Sequence, residues 1–235
     1  MSASVARVLA FADGRAAFHS GEAGALAEGD PFGGHRSTVF SDEQGFAAGL
    51  AAVSGRYDVA AYPFTETLVV HEGELSFTSN EQTIVLKAGD CLVIARGTAF
   101  ALDASADGLW AWFAATRAEA AVVPGLTVVD RDLHLSPSAP PDDKILISRA
   151  PQCRAQGVFE EGPLRVGVWD STAYERHSRG HLCHEFMHLT EGKVTLRLAG
   201  GEELVVHAGD TVFVAKGTSC GWLSTGYVRK YYAVT

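Results

Sequence analysis

The stretch "HAGDTVFVAKGTSC", residues 207–220, is a near copy of "KAGDCLVIARGTAF", residues 87–100. Ala88, Gly89, Asp90, Ala95, Gly97 and Thr98 return as Ala208, Gly209, Asp210, Ala215, Gly217 and Thr218, an offset of 120. Upstream, "ETLVVHEGELSFT" (66–78) lines up with "EFMHLTEGKVTLR" (185–197) at an offset of 119. The segment ends "WFAAT" (112–116) and "YYAVT" (231–235) also align at 119. Self-similarity at one period marks two copies of a structural unit, here about 116 residues each. The change of offset predicts a single insertion between Gly192 and Gly209.

Within each copy the apolar runs are short and rich in β-branched residues. "VTLRL" (194–198), "ELVVH" (203–207) and "TVFVA" (211–215) are separated by Gly-Gly and Ala-Gly-Asp, and "ELSFT", "TIVLK" and "CLVIA" repeat the series in copy one. Such runs bounded by turn residues predict antiparallel strands. Only "RAEAAVV" (117–123) and "EQGFAAGLAA" (43–52) are rich enough in alanine to consider as helices, and the match of "GLAA" (49–52) to "GVWD" (167–170) favours a strand for the second. Many short strands with regular turns predict an all-β chain of two sandwiches or closed barrels. "LSPSAPPDDK" (135–144), with three prolines, reads as a surface connection. The expected division is an N-terminal domain over 1–134, a linker over 135–144 and a C-terminal domain over 145–235.

The formal charge is −9 at 47% hydrophobic residues. Phosphate binding needs clustered Lys and Arg, so nucleic acid is not an expected partner, nor is an anionic membrane surface. No run approaches the ~20 apolar residues that span a bilayer. "MSASVARVLAFADG" (1–14) lacks the form of a secretory signal, which makes a cytoplasmic location the expectation. Cys91, Cys153, Cys183 and Cys220 have no paired short spacing and are expected to be free thiols.

"RHSRGHLCHEFMHLTEG" (176–192) concentrates four histidines. Its "HEFMH" (184–188) spells the zinc-peptidase pattern H-E-x-x-H, whose chemistry requires both histidines on one face of a helix. Gly180 and Gly192 bracket the stretch closely, and copy one has the β-branched "TETLVV" (65–70) at the same place. The pattern is therefore expected to lie on a strand. Side chains alternate along a strand. Glu185, Met187 and Leu189 then face one way. Counting back with unbroken parity, His181, Arg179 and His177 share their side. His184 and His188 are expected to point outward, to solvent or to an interface.

The order His181-x3-Glu185-x6-Gly192 matches the first motif of the cupins, and Gly209-x5-Ala215-x-Gly217-x2-Cys220 matches the frame of the second. With the glycine frame in both copies, the chain resembles a two-domain cupin over nearly its whole length. Within the superfamily it is most similar to the ethanolamine-utilization-type cupins of unknown function, through "GVWDS" (167–171), "HEFMHLTEG" (184–192), "AGDTVFVAKGTSCGW" (208–222) and "VRKYY" (228–232). The resemblance implies two tandem antiparallel jelly-roll barrels. It also implies a site in which the first motif gives two histidines and a glutamate and the second gives a third histidine.

Carried over, His181 stands at the second histidine and Glu185 at the glutamate. Arg179, which cannot ligate a metal, holds the first histidine place, and Cys220 holds the third. The candidate metal set is His181, Glu185, His177 as a substitute for position 179, and Cys220 as a thiolate, which favours zinc over manganese among zinc, iron, nickel and manganese. Arg179, Trp222 and Met187 are candidate ligand-binding residues. Two readings stay open. One is a divalent-metal enzyme acting on a small polar or anionic molecule. The other is a metal-free, non-catalytic module holding a small ligand with Arg179, His181 and Glu185. Copy one keeps Glu66 but has Tyr62 and Phe100 at the histidine places, which predicts a structural barrel with an aromatic interior. Family resemblance alone suggests a homodimer.

Overall fold

The computed structural model describes residues 5–17, 22–117 and 120–235. "RAEAAVV" includes residues 118 and 119, which lie outside the described set. The only helices among the described residues are single 3-10 turns, Gly33–His35 and Asp143–Ile145, and the second alanine-rich segment is strand Phe46–Ala52. Among the described residues no helix is long and apolar enough to cross a membrane. The chain forms two compact units. One comprises Leu9–Asp130 with Glu161–Leu164 and is called the N-terminal barrel below. The other comprises Met1–Val8, Arg131–Glu160 and Arg165–Thr235 and is called the C-terminal barrel.

Among the described residues each barrel has a seven-stranded and a four-stranded antiparallel sheet. In the C-terminal barrel the larger sheet runs Ala6–Ala10, Thr211–Val214, Glu185–Glu191, Val228–Val234, Leu164–Ser171, Cys153–Glu161, Ser136–Ser138. The smaller runs Tyr174–Gly180, Ser219–Ser224, Lys193–Leu198, Glu203–His207. Part of the proline-rich stretch is thus an edge strand, Ser138 pairing with Cys153, where a proline's missing N–H is tolerated. The N-terminal barrel repeats the scheme. Its larger sheet runs from Leu126–Val129 through Cys91–Ile94, Thr65–Glu72, Leu109–Ala115, Phe46–Ala52 and Arg36–Ser41 to Glu22–Ala23.

The repeat can now be followed residue by residue. In copy one the hairpin between the strands Glu74–Ser79 and Gln82–Lys87 closes on Asn80 and Glu81, both with positive φ. In copy two Leu198 bonds Glu202 across Ala199, Gly200 and Gly201. This turn is the insertion. Beyond it the offset remains 120, which corrects the alignment of the ends. Trp112 pairs with Leu68 and Gly49, and Tyr232 pairs with Met187 and Gly167, so Trp112 corresponds to Tyr232 rather than to Tyr231. Gly49 and Gly167 are glycine for one reason. A Cβ on Gly49 would sit 2.1 Å from Ser37 O, and one on Gly167 would sit 2.3 Å from Gln156 O.

Each barrel has its own core. Leu68, Val70, Leu75, Phe77, Leu102 and Trp110 pack in the first, and Met187, Leu189, Val194, Leu196, Val212 and Trp222 in the second. Each such side chain contributes ~1.5–3 kcal/mol by leaving water. Thr65–Glu72 and Glu185–Glu191 are central strands buried on both faces, and so lack the polar–apolar alternation of a half-exposed strand.

Candidate functional site

The site lies inside the C-terminal barrel, in a cavity of about 310 Å³. Strand Glu185–Glu191 directs Glu185 and Met187 into it, as their shared parity predicts. Four residues back, His181 is fixed by its backbone: its N–H donates to Thr218 O at 2.9 Å and its carbonyl accepts from Gly217 N at 2.8 Å. Its Nε2 then meets Glu185 Oε2 at 2.7 Å. The other carboxylate oxygen, Oε1, accepts from Lys230 Nζ at 2.6 Å. Lys230 lies on strand Val228–Val234 opposite Leu189. Its Nζ also reaches Met187 Sδ at 3.0 Å and stands 4.9 Å from the Trp169 ring and 5.2 Å from the Trp222 ring. An ammonium over two indole faces beside a carboxylate is held by charge, hydrogen bonding and cation–π attraction together. Burial pushes the Glu185 carboxyl upward, but Lys230 and the bond to His181 outweigh it and hold the group well below the usual carboxylate range.

Going back along the chain, parity does not hold. Arg176 pairs with Trp222 and Arg179 with Cys220, so three steps on one strand oppose two on the other. This bulge, the kind of irregularity that re-aims side chains, brings both Arg176 and Arg179 to the cavity. His177 is left exposed and is not among the lining residues. Arg176 Nη1 donates to Cys220 O at 2.8 Å. The Nε of Arg179 is buried with no hydrogen-bond partner. Trp222 lines the wall, stacked on Tyr174 with ring centres 5.6 Å apart. Cys220 is fully buried and donates to Gly221 O at 3.3 Å. Burial raises its thiol pKa, with Arg176 opposing. Cys183 at the mouth is pushed up to about 11, again by burial. All four cysteines are free. Leu182, Ala139, Pro140 and Pro141 complete the rim.

His184 and His188 do not face solvent. Both are buried, at 5% and 3% exposure. His184 stacks on Phe213 and accepts from Lys216 N through Nδ1 at 3.1 Å. His188 stacks on Tyr231 and bonds Thr211 Oγ1 at 2.9 Å. The second face of this central strand is as dry as the first, and the histidines are satisfied core residues.

The structure thus brings His181, Glu185, Cys220, Arg179, Trp222 and Met187 around one cavity and leaves His177 outside it. Lys230, Arg176 and Trp169 were not singled out for this cavity from sequence. Each becomes visible only once strand pairing and the bulge are known. As arranged, these side chains do not fit a metal ion. Both oxygens of Glu185 are engaged, one by a cation. Among the described residues no cluster of three or more His, Cys, Asp or Glu is placed to hold a metal.

In the N-terminal barrel Glu66 accepts from Tyr62 OH at 2.8 Å and Trp110 Nε1 at 3.1 Å. Arg36 Nη2 adds a third contact at 2.7 Å while its Nε bonds Asp30 at 2.9 Å. The guanidinium is wholly buried and lies 4.8 Å from the Trp112 ring.

Residues 159–232 match the EutQ-like cupin domain model. No curated protein matches the chain. A protein of unknown function of the DUF861 family from Pseudomonas syringae pv. tomato has 47% identity to it, covering 99% of this chain and 100% of that one, with a TM-score of 0.96. A Cupin 2 conserved barrel domain protein from Leptotrichia buccalis superposes with a TM-score of 0.61 at 7% identity, covering 85% of this chain and 88% of that one. A salicylate 1,2-dioxygenase from Pseudaminobacter salicylatoxidans does so with a TM-score of 0.52 at 11% identity, over 85% and 75%. These last two share the fold alone. With tandem jelly-roll barrels and near-complete overlap with its Pseudomonas syringae relative, the chain belongs to the DUF861 family of cupins.

Proposed function

We propose that the C-terminal barrel binds a small carboxylate-bearing molecule through cationic side chains of its own, without a bound metal ion. The observation that carries this reading is the engagement of Glu185 by Lys230 and His181, which neutralises the cavity's acidic group internally. Arg176 and Arg179 then leave the interior positive. The unpartnered Nε of Arg179 is the donor with capacity to spare. Buried donors without partners cost free energy, and a carboxylate entering the cavity removes that cost while forming charge-assisted bonds. Trp222, Leu196 and Val214 supply an apolar wall, so the ligand is expected to combine one acidic group with a short apolar body. At ~30 Å³ per water, 310 Å³ corresponds to about ten water volumes, enough for a small organic acid.

The test is a titration of chelator-treated protein with acetate, oxalate, succinate and benzoate, read by the fluorescence of Trp169 and Trp222 and by melting temperature. At least one acid is expected to bind saturably and raise the melting temperature as its concentration passes Kd. Arg179→Ala is expected to weaken that binding at least tenfold. If binding vanishes on chelation and the purified protein carries stoichiometric metal, the metal-dependent reading replaces this one.

A further inference from the structure

We infer that Lys230 is a resident cation: its ammonium group takes the place beside Glu185 that a metal ion would need, and thereby keeps such an ion out of the barrel. The inference deepens the anion-binding reading and rests on it only for the view that the wild-type cavity works without metal.

Three observations converge. The first is the coordination of the ammonium itself. Nζ contacts Glu185 Oε1 at 2.6 Å and Met187 Sδ at 3.0 Å, and the Trp169 and Trp222 rings flank it. An oxygen and a sulfur that a thiophilic ion would use are therefore already bound to a positive charge. The second is the position of Lys230 in the repeat. Lys230 pairs with Leu189, four residues after Glu185, and Trp110 pairs with Val70, four residues after Glu66. Both side chains donate to the Oε1 of their own glutamate. This strand position reaches the glutamate in either barrel, and in the C-terminal one it carries a full charge. The third is the N-terminal barrel, where Glu66 also has a cation from the chain. That cation is Arg36, from a different strand, Arg36–Ser41. Each barrel neutralises its glutamate with a side chain, by two unrelated routes.

Without the Lys230 side chain, Glu185 Oε1 and Met187 Sδ would lose their bound cation beside His181, leaving oxygen, sulfur and nitrogen donors of the kind that suit cobalt or zinc. The test is a Co²⁺ titration of the chelator-treated full chain, as wild type, Lys230→Ala and Lys230→Gln, each checked for folding by circular dichroism. Lys230→Gln keeps most of the volume and covers the case in which the alanine variant does not fold. At least one folded variant is expected to take up about one Co²⁺ per chain, tenfold or more tighter than wild type. That uptake should disappear when Glu185→Gln is added. The inference is overturned if folded variants bind Co²⁺ no better than wild type, or if wild type binds one equivalent through Glu185 with Lys230 in place. Carboxylate titrations of the same proteins separate the two ideas. A gain of cobalt in the variants, with no carboxylate bound by wild type, removes the anion reading and leaves this one. Carboxylate binding with no gain of cobalt does the reverse.

Discussion

The two barrels start from the same glutamate and end in opposite states. Glu66 and Glu185 sit at equivalent positions, each with one oxygen bonded from the residue four before it, Tyr62 or His181. Each has the other oxygen bonded from the neighbouring strand, by Trp110 or Lys230. Beyond these donors, a further side chain differs. Ser37 O and Gln156 O lie against Gly49 and Gly167 in the same way, so Arg36 in copy one corresponds to Ala155 in copy two. The arginine fills the first interior between Glu66, Asp30 and Trp112. The alanine does not, and the second barrel keeps a cavity. The glycine frame is common to both barrels, while positions outside it set the two interiors apart: Tyr62, Phe100 and Arg36 fill the first, where His181, Cys220 and Ala155 stand in the second.

The largest effect expected from breaking this comparison is at Arg36. Removing one member of a buried charge cluster leaves the others uncompensated, which costs ~3–5 kcal/mol. Arg36→Ala strands both Glu66 and Asp30, whose side chains are wholly buried. Thermal and urea unfolding are expected to show a loss of that size, or an insoluble protein. A loss below ~1 kcal/mol would show that Arg36 does not hold this cluster together.

The next effect sharpens the comparison through pH. The folded pKa of Glu185 is depressed by Lys230 and His181 against the opposing pull of burial. A depressed carboxyl stabilises the fold above its unfolded pKa, ~4.3, and that contribution is lost as pH falls below this value toward the folded pKa. Wild type is therefore expected to lose stability on acidification from about pH 5 downward. Lys230→Met should be less stable near neutral pH by ~3 kcal/mol, the lower end for breaking a buried pair, and show a shallower acid decline, because the charge that depresses Glu185 is gone. Melting curves across pH 3–7 check this. Parallel declines in the two proteins would mean that Lys230 does not set the ionisation of Glu185.

Much of this was legible in the sequence, in proportion to how local each feature is. Turn glycines and β-branched runs are short-range signals, and they located the strands, the two copies and the insertion before Gly209. Strand parity put His181 and Glu185 on one side, and the resemblance to cupins added Cys220. Three things were not legible. Lys230 lies on a strand 45 residues from Glu185, and only the antiparallel register brings them together. The bulge between Arg176 and Arg179 leaves no mark in composition, yet it reverses which residues face inward. The dryness of the second face, which buries His184 and His188, depends on packing that no alternation along one strand reports.

The smallest expected effect tests that bulge directly. With unbroken parity His177 would share the interior with Glu185, and replacing it would disturb whatever the cavity holds. With the bulge His177 is exposed, and exposed substitutions away from special features change stability by no more than ~0.5 kcal/mol. His177→Ala is therefore expected to melt with wild type and to bind carboxylates unchanged, whereas Arg179→Ala, two residues on, should leave stability nearly intact and weaken the ligand. The pair is informative because the two positions share the same parity and would behave alike on a regular strand. A binding loss in His177→Ala equal to that in Arg179→Ala would mean that both line the cavity. The register of Arg176 against Trp222 and Arg179 against Cys220 would then have to be redrawn.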